Sequence, residues 1–495
     1  MASVADRPFP PGEYDVVVVG SGPGGLQTSY ELRALGVRHA VLSADDRPGG
    51  MFQRFPVFER LITWTKPDAP FERGTREYEW FDHNSLLAAE PECRALVPEL
   101  MDRTFDVPSR EEMEAGLAAF AERTRLEIRY GCRWESTRRE EGGFVLVTSD
   151  GDYRCRAVVF AIGVTEPWKA PIPGAEHAAH YVDTGDPERY RGRSVFIVGK
   201  RNSGFEVASG VLPWAARIVL ASPRPVDTAQ IGRSPVRARY LQPLDEYARG
   251  GASAYVVDAT IERIEPKDGG FRVVAHGTTW PGELFFEVDD VLIATGFRTP
   301  LRDLPALGLA TVSDGRIPAL TRYFESVSLP GVYFAGNASQ GYAGLRKQGL
   351  GANSTSVNGF RYNARILARH IAETQFGKEV ERPVLARDEV LPYLLHELAV
   401  APELWVQKGY LARVVSFDGE IRDEGIVPLE EFVDGAGPNA VAVTVEMNRN
   451  GEIHPAVYIR SSSRLLEAAL PAHPTRSFDS EQHRRELAAL LDLVG

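Results

Sequence analysis

Residues 15–25, DVVVVGSGPGG, decide the fold of this chain. Four valines in a row after Asp15 are typical of a strand that is buried on both faces of a parallel sheet. The glycine-rich stretch leads into a sequence with helical periodicity, and HAVLS at residues 39–43 predicts the next strand. The segment therefore predicts a strand, a tight turn, a helix and a second parallel strand.

The turn has the GxGxxG spacing of a dinucleotide-binding loop. Its glycines are Gly20, Gly22 and Gly25. In such a loop the first glycine permits the tight turn, the second lets the backbone approach a pyrophosphate, and the third lets the helix pack against the strand. Amides at the start of the helix then face the phosphates. The alternative is a glycine-rich turn without a ligand.

An acidic residue commonly ends the second strand of such a unit and binds the ribose hydroxyls. In this chain Ser43 follows the strand directly. We expect Asp45 or Asp46, just beyond it, to reach the ribose instead. The alternative is that both are solvated turn residues.

The same pattern returns at residues 194–204, SVFIVGKRNSG, followed by RIVLAS at 217–222. Arg201 stands where the second glycine is expected, and its side chain either holds a pyrophosphate away or pairs with it. Ser222 and Arg224 lie just past the second strand, where an arginine can accommodate the 2′-phosphate of NADP. We therefore predict NADPH rather than NADH, and the alternative is an exposed loop arginine.

Composition restricts the classes of function. The chain has 495 residues, 43% of them hydrophobic, and a formal net charge of −12. That charge, spread without long like-charge runs, disfavours nucleic acid and an anionic membrane surface as partners. No segment has the apolar length of a membrane span or the pattern of a signal peptide. We therefore expect a cytoplasmic protein.

The chain has three cysteines. They are Cys93, Cys132 and Cys155. Because they form no CxxC pair and no even framework, they predict neither a disulfide scaffold nor a zinc site, and we expect no metal. We interpret them as small buried apolar residues.

The order of the segments predicts an α/β fold with two Rossmann-like dinucleotide-binding domains and a small C-terminal α+β appendage. We assign residues 1–165 and 286–382 to the first domain and residues 166–285 to the second. Residues 383–495 are assigned to the appendage, which is predicted from a helical patch, three strand-like segments and a charged terminal helix.

Several segments resemble a known family. GSGPGG at 20–25, ATG at 294–296 and GVYFAGNAS at 331–339 resemble the two-dinucleotide-binding-domain flavoproteins, which include flavin-containing monooxygenases, N-hydroxylases and thioredoxin-reductase-like enzymes. RFPVFERLITWTK at 54–66 and EYEWFDHNSLL at 77–87 look like the endoplasmic-reticulum flavoprotein associated with degradation and its bacterial relatives. The resemblance implies FAD in the first domain and a nicotinamide nucleotide, which we expect to be NADPH, in the second.

The resemblance also implies individual contacts. Gly336 and Asn337 are carried over as FAD contacts, and many relatives have an aspartate where Asn337 stands. Asn84 and Lys66 look like polar groups on the flavin or substrate side, and the alternative for Asn84 is a helix N-cap. The other positions assigned to the two cofactors are Pro23, Gly50, Met51, Gly163, Gly199, Asn202, Ser203, Gly204 and Gly296.

A disulfide reductase of this architecture needs two cysteines close in sequence, and this chain has none. With disulfide chemistry set aside, reduced flavin can react with oxygen or pass its electrons to an organic acceptor. The resemblance to flavin-containing monooxygenases and N-hydroxylases implies the first, in which a flavin hydroperoxide oxygenates a small metabolite, with N-hydroxylation of an amine as the favoured case. The candidates for steadying that intermediate are Asn84, Lys66, Arg346 and Lys347, each of which could instead be structural.

Two alternatives stay open. The first is an NAD(P)H-dependent reductase, dehydrogenase or oxidase that does not oxygenate its substrate. The second is a flavin-stabilised interaction protein in which the appendage binds a partner or forms a dimer. A small-molecule substrate and O2 are the expected partners, and a homodimer is left open.

Overall fold

The computed structural model describes residues 7–58, 60–226, 236–250, 253–344, 354–448, 450–461 and 464–494. Its strands are β1 Gly12–Val19, β2 His39–Leu42, β3 Trp134–Glu140, β4 Gly143–Thr148, β5 Gly151–Phe160, β6 Glu166–Pro167, β7 Ala179–His180, β8 Ser194–Val198, β9 Arg217–Ser222, β10 Ala254–Lys267, β11 Gly270–Gly277, β12 Gly282–Val288, β13 Asp290–Ile293, β14 Phe297–Arg298, β15 Thr311–Val312, β16 Ile317–Pro318, β17 Val332–Phe334, β18 Leu411–Asp418, β19 Glu420–Pro428, β20 Ala440–Met447, β21 Ile453–Ser461 and β22 Arg464–Ala469. Its α-helices are α1 Pro23–Ala34, α2 Leu96–Leu100, α3 Arg110–Arg123, α4 Asn202–Val211, α5 Ala238–Arg249, α6 Val357–Phe376, α7 Arg387–Val400, α8 Pro402–Val406, α9 Leu429–Asp434 and α10 Glu481–Leu491. Single 3-10 turns include Gly50–Gln53, Glu77–Trp80 and Gly336–Gly341.

The chain forms two compact units. The first contains Met1–Gln53, Thr63–Val164 and Thr299–Gly495, and the second contains Arg54–Ile62 and Thr165–Arg298. Each unit has one of the two predicted strand–turn–helix–strand motifs. The predicted α/β fold with two Rossmann-like motifs is confirmed.

The first unit is built on a sheet in the order β2–β1–β5–β4–β3, with β17 joined to β5. The strand β1 is parallel to β2 and to β5, and Val16, Val17 and Val18 are fully buried at its centre. Because β17 is also parallel to β5, the chain after β17 reaches the same carboxyl edge of the sheet as the turn after β1. Gly336 therefore lies at that edge.

The second unit is built on a seven-stranded sheet in the order β12–β11–β10–β9–β8–β13–β7. Its centre is parallel, and β11 and β12 extend it as an antiparallel ribbon. We predicted that the second domain ends at residue 285, but β12 pairs with β11 and β13 pairs with β8. Both strands therefore belong to this sheet, and the unit extends to Arg298.

The second unit also includes residues 54–62, which we assigned to the first domain. Glu206, buried on α4, accepts hydrogen bonds from the backbone amides of Val57 and Phe58 at 2.8 and 3.0 Å. The Tyr181 hydroxyl donates to the same carboxylate at 2.7 Å. A sequence pattern could not reveal this pairing, because the partners are far apart in the chain.

The appendage forms an antiparallel sheet in the order β19–β18–β20–β21–β22 and belongs to the first unit. Its helices α7 and α8 are tied to residues near the 3-10 turn Glu77–Trp80. The Arg76 guanidinium pairs with Glu397 at 2.6 Å and with Glu403 at 2.9 Å, and the Trp80 Nε1 donates to the Val400 carbonyl at 2.6 Å. These two ion pairs and the Trp80 hydrogen bond therefore hold the appendage to the rest of the first unit, in addition to the chain connection.

Candidate functional site

The first glycine turn closes tightly between β1 and α1. Gly20 has φ +116°, and a Cβ there would lie 2.5 Å from the carbonyl oxygen of Ala161. A Cβ on Gly25 would overlap the carbonyl oxygen of Gly20. Pro23 occupies the first position of α1, where a missing amide hydrogen costs nothing, and Gly22 is the N-cap residue. These are the backbone demands that the GxGxxG spacing predicts.

Two glycines from other parts of the chain, Gly336 and Gly50, lie very close to this turn. A Cβ on Gly24 would lie 2.5 Å from the Cα of Gly336, and a Cβ on Gly50 would lie 2.9 Å from the Cα of Gly22. Three chain segments that are distant in sequence thus approach one another with no side chain between them. The result is a cradle lined by backbone at the start of a twelve-residue helix, which suits the phosphates of a dinucleotide. Gly24 was missed by sequence reasoning because its partner, Gly336, is remote in the chain.

The end of β2 is tied to the glycine turn by hydroxyl groups. The Oγ atoms of Ser21 and Ser43 are 2.7 Å apart and both residues are buried. Ser43 Oγ also accepts a hydrogen bond from the Asp45 amide at 3.2 Å. Asp46 is exposed and pairs with Arg47 at 3.2 Å. Ser43 therefore takes a structural role at the position where an acidic residue was expected, and ribose binding by Asp45 or Asp46 stays a prediction.

The other predicted flavin contacts lie around the same cradle. Met51 is half-buried in the 3-10 turn Gly50–Gln53, and Gly163 is half-buried just beyond β5. Asn337 is half-buried, and its Oδ1 accepts a hydrogen bond from the Gln340 Nε2 at 2.8 Å. The amide nitrogen of Asn337 is a donor that can serve a further ligand.

Asn84 is fully buried and its amide group is engaged by the protein. Its Nδ2 donates to the Thr63 carbonyl at 3.1 Å and to the Thr65 Oγ1 at 2.8 Å, and its Oδ1 accepts from the Thr63 Oγ1 at 2.6 Å. Both donors are therefore used, which favours the structural alternative for Asn84. Lys66 is exposed, with its ammonium 5.7 Å from the centre of the Phe81 ring. Arg346 and Lys347 lie outside the described residues.

The second glycine turn repeats the geometry of the first. Gly199 has φ +124°, and a Cβ there would lie 2.5 Å from the carbonyl oxygen of Ala294. A Cβ on Gly204 would overlap the carbonyl oxygen of Gly199. Arg201 is the N-cap residue of α4, with an extended backbone and an exposed side chain. The missing second glycine therefore leaves the turn itself unchanged.

A buried ion pair lies beside the second turn. The Lys200 side chain is 1% exposed and its ammonium pairs with Asp258, which faces Ser222 in the register of β10 and β9. The Thr279 hydroxyl donates to the same carboxylate at 2.6 Å. The hydrogen bonds from Lys200 and Thr279 hold the pKa of Asp258 below its usual range. The sequence carries no signal for this pair, since Asp258 comes from a different strand.

Near the start of α4 lies Arg237, which pairs with no carboxylate among the described residues. The backbone amide of Arg237 donates to the Oδ1 of Asn202, the first residue of α4, at 3.1 Å. The Nε of Arg237 is buried and, within the described ranges, no atom accepts a hydrogen bond from it. Burial, with the neighbouring charge of Arg239, lowers the pKa of Arg237. A desolvated cation of this kind favours a nearby anion. Sequence reasoning did not identify Arg237.

The remaining predicted residues of the second unit are Arg224, Ser203 and Gly296. Arg224 is exposed, and Ser203 is half-buried as the second residue of α4. The carbonyl of Gly296 accepts hydrogen bonds from the Trp168 amide at 3.0 Å and from the His180 Nε2 at 3.1 Å. Gly296 therefore holds the backbone after β13 in place.

All three cysteines are buried. Burial raises the pKa of Cys93 and Cys132, and it raises the pKa of Cys155 to about 12. Across the described ranges, no group of three or more His, Cys, Asp and Glu side chains is placed to hold a metal ion. Among the helices of those ranges, none combines the length and the apolar composition of a membrane span.

Comparisons with known proteins place this geometry in a family. The family model described as pyridine nucleotide-disulphide oxidoreductase matches residues 17–336. The chain is 24% identical over 490 residues to FAD-dependent oxidoreductase domain-containing protein 2 of Danio rerio, covering 87% of this chain and 68% of that protein. It is 28% identical over 364 residues to a ferredoxin–NADP reductase of Salinispora tropica, covering 70% and 93%. A flavin-containing monooxygenase structure from Stenotrophomonas maltophilia has a TM-score of 0.56 at 22% identity, covering 72% and 98%.

The family match spans both glycine turns and confirms the predicted resemblance. The names of the two curated relatives agree with the predicted cofactors, FAD and NADPH. The likeness to the monooxygenase, at 22% identity, bears on the fold alone. On the evidence of the doubled turn and the family match, the chain is an oxidoreductase that belongs to the pyridine nucleotide-disulphide oxidoreductase family.

Proposed function

We propose that the protein transfers electrons from NADPH to FAD and then to oxygen, as a monooxygenase that acts on a small metabolite. The observation that carries the proposal is the repetition of one backbone geometry. In each unit the first and last glycines of the turn are closed against a neighbouring carbonyl. Two such turns provide for two dinucleotides, which hydride transfer between cofactors requires.

FAD is assigned to the first turn. The glycines of this turn would let the phosphates approach the backbone where a Cβ would otherwise stand, and the amides at the start of α1 would face them. A bound flavin supplies the two-electron chemistry. The proposed FAD residues are Gly20, Gly22, Pro23, Gly25, Gly50, Met51, Gly163, Gly336 and Asn337, with Asp45 or Asp46 at the ribose.

NADPH is assigned to the second turn. The start of α4 offers amide donors at Asn202 and Ser203, and the exposed side chain of Arg201 can pair with a phosphate rather than block it. The backbone amide of Arg237 hydrogen-bonds Asn202 at the same helix start, so its side chain can supply a cation there. We infer that Arg237, more than the exposed Arg224, neutralises the nucleotide's phosphates.

Oxygen is the proposed electron acceptor, because a dithiol relay is unfavourable in this chain. Thiolates are the reactive form of cysteine, and burial raises the pKa of all three thiols. N-hydroxylation of an amine remains the favoured reaction, and the exposed ammonium of Lys66 is a candidate substrate contact.

A reductase that passes electrons to another acceptor is the second candidate. The match to a ferredoxin–NADP reductase over 93% of that protein's length favours it. The two candidates share both cofactors and differ only in what oxidises the reduced flavin. They are therefore separated by the reaction of the reduced protein with oxygen.

The test starts with anaerobic reduction of the purified protein by NADPH, followed by rapid mixing with oxygenated buffer and full-spectrum detection. A monooxygenase is expected to give a transient absorbance distinct from oxidised and reduced flavin before the flavin band returns. Slow direct return of the oxidised spectrum, with hydrogen peroxide released in equal amount, would contradict oxygenation and favour the reductase.

A variant in which Cys93, Cys132 and Cys155 are all replaced by alanine serves as the control for a thiol relay. Reoxidation of the NADPH-reduced flavin by oxygen is expected to stay within about twofold of wild type, because oxygen takes electrons from the flavin directly and substitutions away from the reacting groups alter rates little. A large loss of reoxidation with the flavin still bound and still reduced by NADPH would restore thiol chemistry as an explanation.

A further inference from the structure

A buried glutamine of the appendage, Gln407, is hydrogen-bonded to the helix that follows the first cradle. Gln407 comes directly after α8, and its backbone is held there, since its amide donates to the Glu403 carbonyl at 2.9 Å and its carbonyl accepts from the Tyr410 amide at 3.0 Å. Its side-chain Nε2 donates to the Asn363 Oδ1 at 2.6 Å and to the Gly359 carbonyl at 2.9 Å, both on α6. The appendage therefore places a donor at a fixed point against α6.

From Asn363 the hydrogen bonds continue to the turn Gly336–Gly341. The Asn363 Nδ2 donates to the Ser339 Oγ at 3.3 Å and to the Ser354 Oγ at 2.9 Å. The Ser339 hydroxyl, buried within that turn, donates to the Gly336 carbonyl at 2.7 Å. The side chains of Gln407, Asn363 and Ser339 thus form one chain of hydrogen bonds, the amide relay, that ends on the Gly336 backbone.

Every bond of the amide relay has its donor on the appendage side. A side-chain amide has one donor nitrogen and one acceptor oxygen, and a hydroxyl has a single hydrogen. Because Gln407 donates to the Asn363 oxygen, the Asn363 nitrogen faces Ser339, and the Ser339 hydrogen is then directed at Gly336. Loss of the Gln407 donor would let the Asn363 amide turn over, which would take its nitrogen away from Ser339.

The amide relay ends at the part of the first cradle where the backbone is most crowded. Gly336 has φ +68°, and a Cβ on Gly24 would lie 2.5 Å from both the nitrogen and the Cα of Gly336. A peptide packed this closely has little room to rotate. The Ser339 bond and the approach to Gly24 therefore fix the Gly336 peptide together.

The appendage contacts the same region at a second point. Tyr342 follows the turn Gly336–Gly341, and its hydroxyl donates to the carboxylate of Glu430 on α9. The Tyr342 ring also packs against the ring of Tyr410, with centroids 5.6 Å apart. The turn is therefore held by the appendage at its start, through the amide relay, and just beyond its end.

The Gln407 side chain is not arranged for stability alone. Its Oε1 is buried and, among the described residues, receives no hydrogen bond. An unpaired buried oxygen is unfavourable for folding, so the donor nitrogen is the part of this side chain that has a use. We propose that Gln407 is a positioning residue for FAD, which acts through Asn363 and Ser339 to hold the Gly336 peptide in the orientation that the cofactor requires. The inference rests on the proposed placement of FAD at the first turn, and it gives the appendage a role in cofactor binding.

The test is release of FAD from the purified holoprotein on serial dilution, followed by flavin fluorescence. Gln407→Met keeps the length of the side chain but has no donor, and its FAD dissociation constant is expected to rise about five- to tenfold, as for the loss of one buried hydrogen bond. Thr444→Val is the matched control, because it removes a buried hydroxyl that donates to the Leu411 carbonyl at 2.7 Å elsewhere in the appendage. It is expected to lose similar stability in urea and to bind FAD like wild type.

Two results of the dilution experiment would be decisive and distinct. A wild-type dissociation constant in Gln407→Met, with FAD bound by both proteins, would overturn the role of Gln407 and leave the proposed function intact. Failure of the wild-type protein to bind FAD would overturn the proposed function and this inference with it.

A double-mutant cycle separates the amide relay from a general loss of packing. Ser339→Ala removes the last bond of the relay without altering the appendage, and it is expected to weaken FAD binding in the same direction. If both residues act through one relay, the double variant binds FAD within about twofold of the weaker single variant. Multiplied single effects, or wild-type FAD binding by Ser339→Ala, would overturn the relay, and the second result holds whether or not Gln407→Met folds.

The spectrum of the bound flavin gives a readout that a change in stability alone would not move. Visible circular dichroism of the holoprotein reports the surroundings of the flavin. It is expected to change in Gln407→Met and in Ser339→Ala and to stay as in wild type in Thr444→Val. An unchanged spectrum in both relay variants would contradict a positioning role.

Discussion

The two glycine turns, residues 20–25 and 199–204, have the same backbone geometry but different surroundings. In both, the first glycine has a positive φ against a neighbouring carbonyl, and the last glycine packs against the first. The closure of strand, turn and helix is therefore independent of which nucleotide binds. The differences lie in what surrounds the phosphates.

Main-chain atoms of other segments surround the first turn, whereas charged residues lie beside the second turn. Gly50 and Gly336 approach the first turn so closely that a Cβ on Gly24 or Gly50 would collide with main-chain atoms. The second turn has Lys200 in a buried ion pair, and a cation at Arg237 near the helix start. We therefore propose that the first site selects its ligand by shape and the second by charge.

Gly24→Ala is expected to have the largest effect, and it tests whether the close backbone approach at the first turn is needed for FAD binding. Because the added Cβ would lie 2.5 Å from the Cα of Gly336, we expect loss of most bound FAD, by tenfold or more, which corresponds to about 1.4 kcal/mol or more of binding free energy. The ratio of flavin absorbance to protein absorbance after purification measures it. Gly12→Ala in β1 is the control, since a Cβ there meets only the Pro10 carbonyl at 3.8 Å. Full FAD content in Gly24→Ala would show that the close approach is not needed.

The charge at the second turn is tested by Arg237→Met. Hydrogen bonds to a charged group contribute about 1.5–3 kcal/mol, so we expect NADP⁺ affinity to fall about tenfold or more with FAD content unchanged. Titration of the flavin difference spectrum with NADP⁺ measures the affinity. Arg237 is the N-cap residue of α5, and Arg249→Met, at the last turn of α5, controls for loss of a positive charge. Affinity within twofold of wild type would remove Arg237 from the site.

The buried pair of the second turn is tested by pH. The pKa of Asp258 is lowered in the folded protein, so its contribution to stability is present above the usual carboxyl pKa of about 3.9 and is lost as the pH falls through the lower folded value. Asp258→Asn leaves the Lys200 ammonium without its partner and is expected to cost about 2 kcal/mol at pH 7, below the range for a fully buried pair because Asp258 is partly exposed. Urea unfolding measures the loss, and Asp268→Asn on an exposed loop is the control. Equal stability of the two variants at pH 7 would contradict this role.

The smallest expected effect concerns Arg201. An exposed ion pair contributes about 0.2–1 kcal/mol, so Arg201→Gly is expected to weaken NADP⁺ binding by about threefold. The same flavin titration measures it, with Arg201→Lys as the variant that keeps the charge. Tighter binding by Arg201→Gly would mean that the side chain obstructs the pyrophosphate, which was the other interpretation of this residue.

Local pattern was enough to predict much of the fold. The valines of β1 and the glycines of both turns predicted the two motifs, because these features depend on neighbours within a few residues. The strands β18, β20 and β21 and the helices α7, α8 and α10 of the appendage were predicted for the same reason, whereas β19, β22 and α9 were not. The predicted family and the α/β fold are confirmed.

Contacts between distant segments were not predictable from one sequence. The approach of Gly24 to Gly336 and the pair of Lys200 with Asp258 each join residues that only the finished sheets bring together. The boundary at residue 285 failed because strand pairing, and not local composition, assigns β12 and β13 to the second unit. Resemblance alone did not show how a candidate side chain is bonded: the Asn84 amide group donates hydrogen bonds to Thr63 and Thr65.

Anaerobic titration of the flavin-loaded protein with NADPH tests the central claim most directly, because it requires both turns to hold their nucleotides at once. The account predicts that about one equivalent of NADPH bleaches the flavin band, and that NADH at the same concentration does so far more slowly. A flavin that dithionite bleaches but NADPH leaves oxidised would contradict the account.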